Sequence, residues 1–122
     1  MGKLRVGLIG CGKFAEGQHL PNCAAEKSVE LYHCSSRSEK GRQTAERFGS
    51  KKVTADYREV LADPSVDMVI LSVPHEMHQF FIVETLKARK NVLCEKPMTI
   101  SMDDSYEVIR LVREKGVKLC VD

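Results

Sequence analysis

The sequence predicts an α/β fold, a doubly wound parallel sheet of about six strands joined by helical crossovers, and three observations predict it. Short apolar runs alternate with helix signals from one end of the chain to the other. The run Met68 to Val73 (MVILSV) is apolar on both of its faces, the pattern of a central parallel strand covered on both sides. The first run, LRVGLIG, stops at glycines and leads straight into a helical pattern, as a strand feeding a crossover does.

Each element follows from local chemistry. After LRVGLIG a helix begins near Lys13-Phe14-Ala15, and Pro21 predicts a kink or restart at His19-Leu20-Pro21. Val29 to Cys34 (VELYHC) is the second strand. Ser38 is placed to cap the next helix, which runs through Ala45 and Phe48 and stops at Gly49. Val53-Thr54 is a brief third strand, and Asp56 caps a short helix through Val60-Leu61 that Asp63-Pro64 ends. The fourth strand, Met68 to Val73, ends at Pro74. Met77 to Leu86 then carries Phe80, Ile82, Val83 and Leu86 on a broad apolar helix face. Asn91 to Cys94 is the fifth strand. Ser101 and Asp104 form an S-x-x-D cap, and the helix behind it sets Tyr106, Ile109 and Val112 along one side. Gly116 closes that helix, and Val117 to Val121 is the sixth strand.

Composition narrows the function classes. The 122 residues suffice for one domain, so residues 1–122 are read as a single unit. With 43% hydrophobic and 30% charged residues the chain is globular rather than disordered. A net charge of +2, without a basic stripe, gives no reason to expect a nucleic-acid partner. No apolar run reaches membrane-spanning length and none resembles a leader, so no membrane is expected and the cytoplasm is the expected compartment. The five cysteines are odd in number, form no C-x-x-C, and lie beside or within apolar segments, as small buried hydrophobes in a reducing compartment do. His75 and His78 make H-x-x-H without further ligands nearby in sequence, and no metal site is expected.

The first motif that carries chemistry is Gly10-x-Gly12-x-x-Ala15. It follows a strand and opens a helix, the context in which it reads as a Rossmann-type dinucleotide loop. Gly10 permits the tight turn, Gly12 lets backbone approach a pyrophosphate, and Ala15 allows close helix–strand packing. Lys13 and Phe14 complete the loop as candidate cofactor contacts. The helix start, with its unpaired N–H groups, favours phosphate charge.

An NAD site would place an acid about 20 residues past the loop, on the ribose 2′-hydroxyl. Here the second strand leads into Ser35-Ser36-Arg37, and the first acid is Glu39. Ser36 and Arg37 suit a 2′-phosphate, because a guanidinium fork makes paired, charge-assisted bonds to it. The preferred cofactor is therefore NADP, with NAD the alternative; a surface arginine at a loop tip is the plainer reading of Arg37.

The ten residues NVLCEKPMTI, Asn91 to Ile100, pose a separate problem. Glu95 and Lys96 stand at the mouth of an apolar strand and Pro97 follows at once, either as a solvated strand end or as a site. Together with GLIGCGKFAEGQHLP, AERFG and DYREVLADPSVDMVILSVPHEMH, this stretch resembles the N-terminal domain of the glucose–fructose oxidoreductase / inositol dehydrogenase / rhizopine-catabolism family, the Gfo/Idh/MocA oxidoreductases. The resemblance covers nearly the whole chain.

It implies that Lys96 lies at the nicotinamide as the catalytic residue, donating a hydrogen bond to the substrate oxygen and helping to move its proton. It implies that Glu95 positions the segment and borders the cofactor with Lys96, that Pro97 keeps the pair extended, and that Val73 and Pro74 line the groove. His78 either lies near that groove at the helix start or serves to cap and pack. It also implies hydride transfer between NADP or NAD and a sugar, cyclitol or similar hydroxyl/carbonyl substrate. The family's second domain, which supplies most of the substrate pocket, has no counterpart in these residues, so the chain alone is expected to be inactive and to expose an apolar surface on which it could form a homo-oligomer. A stand-alone nucleotide-binding module without chemistry is the alternative. One departure is Arg89 in Ala88-Arg89-Lys90, where the family has glycine at the helix end.

Overall fold

The computed structural model describes residues 2–12, 15–95 and 101–121. Six strands form one sheet: β1 (Leu4–Ile9), β2 (Val29–Ser35), β3 (Lys52–Thr54), β4 (Met68–Leu71), β5 (Asn91–Cys94) and β6 (Leu119–Val121). Their order is β3-β2-β1-β4-β5-β6 and every pairing is parallel. This is the doubly wound Rossmann arrangement, in which chain order reverses between β1 and β4 and leaves a crevice at their carboxyl ends.

Among the described residues five α-helices cover the sheet: α1 (Leu20–Ala25), α2 (Glu39–Arg47), α3 (Tyr57–Ala62), α4 (His78–Lys87) and α5 (Met102–Lys115). Side chains alternate across the strands, so each face has its own core. Val6, Leu8 and Ile70 pack with Leu20, Cys23 and Ala45 from α1 and α2. Ile9, Val69 and Leu71 pack with Val60, Ile82, Leu86, Val108 and Leu111 from α3, α4 and α5.

The caps are where side-chain chemistry puts them. Ser38 Oγ accepts from Gly41 N at 3.0 Å, Asp56 Oδ1 from Arg58 N at 2.9 Å, and Ser101 Oγ from Asp104 N at 3.1 Å. At Pro21 the helix restarts: a π-helical turn over Ala15–His19 gives way to α1, with Pro21 in its first turn, where a missing N–H costs no hydrogen bond. The fourth strand is shorter than its apolar run. Ser72 N still donates to Ile9 O at 2.9 Å, but pairing with β5 ends at Leu71 and the chain turns out toward Pro74.

Two helices present other faces than their sequences suggest. On α4 the buried set is His78, Ile82, Thr85 and Leu86. Phe80 is 45% exposed, its ring edge-on to Tyr57 and Phe81. On α5 the buried residues are Val108 and Leu111, whereas Tyr106 and Ile109 face solvent with Met102. Both stripes have helical spacing, and only packing against α4 decides between them. Cys120 is likewise exposed, because β6 is an edge strand; the other four cysteines are buried.

Arg89 adopts the left-handed conformation that favours glycine, with φ +61°. The helix-ending turn demands it: Arg89 N donates to Leu86 O at 2.9 Å and Lys90 N to Thr85 O at 3.3 Å. Lys90 then buries its ammonium, donating to the Asp63 and Val66 carbonyls at 2.8 and 2.9 Å and fixing the entry to β5. A left-handed non-glycine residue costs about 1–2 kcal/mol, and glycine's extra freedom in the unfolded chain returns about 0.4–1 kcal/mol of that. Arg89→Gly is therefore expected to raise stability by about 0.5–1 kcal/mol in urea unfolding. A loss would show that the arginine side chain outweighs the strain.

Candidate functional site

The crevice at the switch point begins with Gly10. Its φ is +94°, and a Cβ there would lie 2.1 Å from the Ser72 carbonyl oxygen. Gly10 N donates to Ser35 O at 2.9 Å. The first glycine thus lets β1 turn where it touches both neighbouring strand ends. A Cβ on Gly12 would meet no atom of a described residue within 4 Å, and Gly12 lines the crevice, which leaves room for a ligand to approach backbone. Gly12 O accepts from Glu16 N at 2.9 Å, starting the helix, and Ala15 is fully buried in the core beside Leu8 and Leu20. Lys13 and Phe14 lie outside the described residues.

A groove of about 360 Å³ runs from this loop. It brings together Gly10, Gly12, Ser36, Arg37, Val73 and Pro74, which sequence reasoning had named from three separate stretches. It also holds Tyr57, Met77 and Phe81, which sequence reasoning missed. Tyr57 and Phe81 stack edge-to-face at 4.9 Å and give the groove an apolar wall. Their one signal in the sequence is position: Tyr57 opens the helix after β3, and Met77 and Phe81 follow the Pro74 turn after β4, both past strand carboxyl ends where ligands sit.

The end of β2 is shaped by its neighbours. Ser36 N donates to Thr54 O at 3.0 Å, and Arg42 Nη1 donates to Ser36 O at 2.9 Å. A Cβ on Gly41 would fall 2.1 Å from Ser36 Oγ, so glycine in the first turn of α2 is what allows Ser36 to lie against that helix. Arg37 beside it is exposed and makes no ion pair with a described residue. Two hydroxyls, a helix start and an unneutralised guanidinium meet there, a set suited to a phosphate.

At the far side of the crevice stands the end of β5. Lys96 and Pro97 lie outside the described residues; Glu95, just before them, is half-buried. Its carboxylate is 3.0 Å from His19 Nε2, and its carbonyl accepts from the Cys94 thiol at 3.2 Å. Burial first, and then the Glu95 charge, raise the Cys94 pKa to about 12, so the sulfur keeps its proton and remains a donor. His78 is 1% exposed, beneath the groove wall rather than in it. Its Nε2 lies 3.0 Å from Val73 O. A carbonyl only accepts, so Nε2 carries a hydrogen, and Nδ1 lies 3.5 Å from the Cys94 sulfur, whose single hydrogen the Glu95 carbonyl accepts. The pair His19 and Glu95, distant in sequence, carries no sequence signal beyond the GQHLP stretch.

These residues fit a dinucleotide: a cradle that a Cβ would fill, open space at Gly12, an apolar wall, and a cationic end. Among the described residues no group of His, Cys, Asp and Glu could hold a metal ion, and no helix is long and apolar enough to cross a membrane.

Comparison with known proteins agrees with this geometry. The family model GFO_IDH_MocA, described as an oxidoreductase family with an NAD-binding Rossmann fold, matches residues 4–122. The chain is 38% identical over 117 residues to dTDP-3,4-didehydro-2,6-dideoxy-alpha-D-glucose 3-reductase of Streptomyces violaceoruber, covering 95% of this chain and 34% of that protein. It is 30% identical over 117 residues to myo-inositol 2-dehydrogenase of Thermotoga maritima, covering 95% and 35%. Among solved structures, a 3-ketoreductase from Actinomadura kijaniata in complex with NADP and TDP-benzene superposes with a TM-score of 0.92 at 33% identity, over 99% of this chain and 37% of that one. The chain thus spans about a third of the length of the relatives it matches.

Proposed function

Since this chain belongs to the Gfo/Idh/MocA oxidoreductases, matching their NAD-binding Rossmann portion, we propose that it is the cofactor-binding part of an enzyme that transfers hydride between NADP(H) and a sugar, cyclitol or similar hydroxyl/carbonyl substrate. The observation that carries this reading is the groove joining Gly10 and Gly12 to Ser36-Arg37 on one side and Val73-Pro74 on the other. The names of the relatives, a sugar-nucleotide 3-reductase and an inositol dehydrogenase, support the substrate class.

The nicotinamide, when bound, supplies the hydride acceptor or donor. The chain's own residues do the rest. Gly12 leaves its backbone open to the pyrophosphate, and the helix start behind it opposes the phosphate charge. Ser36 and Arg37 hold the 2′-phosphate, and Val73 and Pro74 form the wall at the crevice centre. Lys96, next to Glu95, donates to the substrate oxygen and moves its proton. An ammonium there stabilises negative charge where it develops on that oxygen. NAD is the weaker alternative cofactor.

Holding donor and acceptor in reacting geometry accounts for about 7–11 kcal/mol of a barrier. The groove described here holds one partner only. The 122-residue chain is therefore expected to bind NADP+ and yet give no steady-state NADPH with a panel of sugars and inositols, followed by absorbance. Robust turnover by the chain alone would require a substrate site within it or between two copies. Binding without turnover even after the chain is joined to the remaining two thirds of a 3-reductase relative would favour the alternative, a nucleotide-binding module without chemistry.

A further inference from the structure

Cys11, Cys23 and Cys34 belong to one apolar cluster, on the face of the sheet that α1 and α2 cover. Cys11 is the middle residue of the Gly10-Cys11-Gly12 turn, and of the three it alone lines the groove. Cys34 is fully buried in β2. The turn folds back on the end of that strand. Gly10 N donates to Ser35 O at 2.9 Å, and Cys11 Sγ donates to the same oxygen at 3.5 Å. Ser35 is the residue after Cys34, so the loop thiol sits against the strand end that carries the second thiol.

The thiols of this cluster are not equivalent. A hydrogen bond from the Cys34 side chain is the largest influence on Cys11, and it lowers the Cys11 pKa against the opposing effect of burial. The same contact, and burial after it, push the Cys34 thiol up. Burial, with the Cys34 charge behind it, raises the Cys23 pKa to about 11. A peroxide oxidises the thiolate, not the thiol. Cys11 therefore joins the readiest ionisation of the three to a place on the groove, and Cys34 lies beside it to receive the oxidised sulfur.

We propose that Cys11 is an oxidation site in the cofactor cradle and that Cys34 is its resolving partner, so that a disulfide between them shuts the dinucleotide site. The inference rests on the reading of the groove given above. The oxidant is a peroxide. Its O–O bond breaks as an S–O bond forms at Cys11, and the released oxygen leaves as water. The Cys34 sulfur then attacks the Cys11 sulfur, and the hydroxyl leaves with the Cys34 proton as a second water. Two thiols have lost two electrons, which the peroxide has taken up. A dithiol reverses the step by exchange. The new bond requires the sulfurs to approach to about 2.05 Å, far inside a hydrogen-bond contact. Cys34 is fixed by its ladder partners, Leu8 on one side and Val53 on the other. The glycine turn must make the movement, and Gly12 is carried with it away from the pyrophosphate.

The test treats the 122-residue chain with hydrogen peroxide, maps its tryptic peptides by mass, and measures NADP+ affinity by calorimetry before and after. Every form carries Cys120→Ser, because that exposed thiol could link two copies. Cleavage after Arg5, Lys13, Lys27 and Arg37 puts Cys11, Cys23 and Cys34 on separate peptides. Peroxide is expected to join the Cys11 and Cys34 peptides with loss of two hydrogens and to lower NADP+ affinity about tenfold or more. Dithiothreitol should restore both, and saturating NADP+ should slow the cross-link. Cys34→Ala should bind NADP+ as the parent does when reduced, and after peroxide should hold a sulfenic acid at Cys11 that dimedone traps. Cys23→Ala should still form the link. The parent chain decides the question even if a core variant folds poorly. A link through Cys23, no link, or a Cys11–Cys34 link that leaves NADP+ affinity unchanged would overturn the proposal. No NADP+ binding by the reduced parent would overturn the reading of the groove and the control of it, while the peptide map still reports whether the two thiols join.

Discussion

Replacing Lys96 with alanine is expected to lower turnover by about 10²–10⁴, the usual scale for loss of acid–base assistance. The assay needs a form competent for turnover, such as this chain joined to the remaining two thirds of a 3-reductase relative. The expectation starts from the sequence, where Glu95 and Lys96 follow the apolar run Val92-Leu93-Cys94 without a spacer. Cys94 is fully buried at the end of β5, and the Glu95 carboxylate lies 3.0 Å from His19 Nε2. A cation at that place meets charge developing on a substrate oxygen. With the lysine acting at the reacting oxygen and the dinucleotide held at Gly12, Ser36 and Arg37, as proposed, the affinity for NADP+ should change far less than the rate. Near-wild-type turnover in Lys96→Ala would reduce the residue to a neighbour of the nicotinamide.

The second large effect is expected at Gly10. An alanine Cβ would fall 2.1 Å from the Ser72 carbonyl oxygen, and the residue would still have to hold φ at +94°. A left-handed non-glycine residue costs about 1–2 kcal/mol before any clash is counted. The clash is with backbone, so relief requires β1 and β4 to separate at the crevice. Gly10→Ala should therefore lose about 3 kcal/mol or more of stability, within the range of severe single substitutions, and lose dinucleotide binding together with it. Gly12 makes the contrast: its Cβ would meet no atom of a described residue, so Gly12→Ala should leave the urea midpoint nearly unchanged while weakening NADP+ binding. If both variants lost stability equally, the assignment of turn to one glycine and ligand approach to the other would fail.

Much of this was legible in the sequence, for reasons that can be named. β1 and β4 are short apolar runs that Gly10 and Pro74 bring to an end, and the caps at Ser38, Asp56 and Ser101 are side-chain chemistry acting within four residues, so neither needs tertiary knowledge. The glycine loop was legible because its strand–loop–helix context is itself local. What sequence could not supply was a choice between faces. Met102, Tyr106 and Ile109 have the same helical spacing as the buried pair Val108 and Leu111, and only packing against α4 turned the first set outward. The groove residues Tyr57 and Phe81 were missed because they come from different crossovers and meet only once the sheet is wound. For His78 the sequence left a place near the groove and a packing role both open; that it lies beneath the wall, near Val73 O and the Cys94 sulfur, is a matter of burial that no spacing shows. Arg89 shows the reverse case: its left-handed turn is imposed by the helix end although the residue type resists it.

The central claim is that this groove is an NADP(H) site whose phosphate end is made by Ser36 and Arg37. Titration calorimetry of the purified chain with NADP+ and with NAD+ tests it most directly. A hydrogen bond to a charged group is worth about 1.5–3 kcal/mol, roughly ten- to a hundredfold in affinity. NADP+ is expected to bind more tightly than NAD+ by that factor, with Arg37→Ala bringing the two affinities close together. Equal affinities in the wild-type chain, or a preference that Arg37→Ala leaves untouched, would contradict the account.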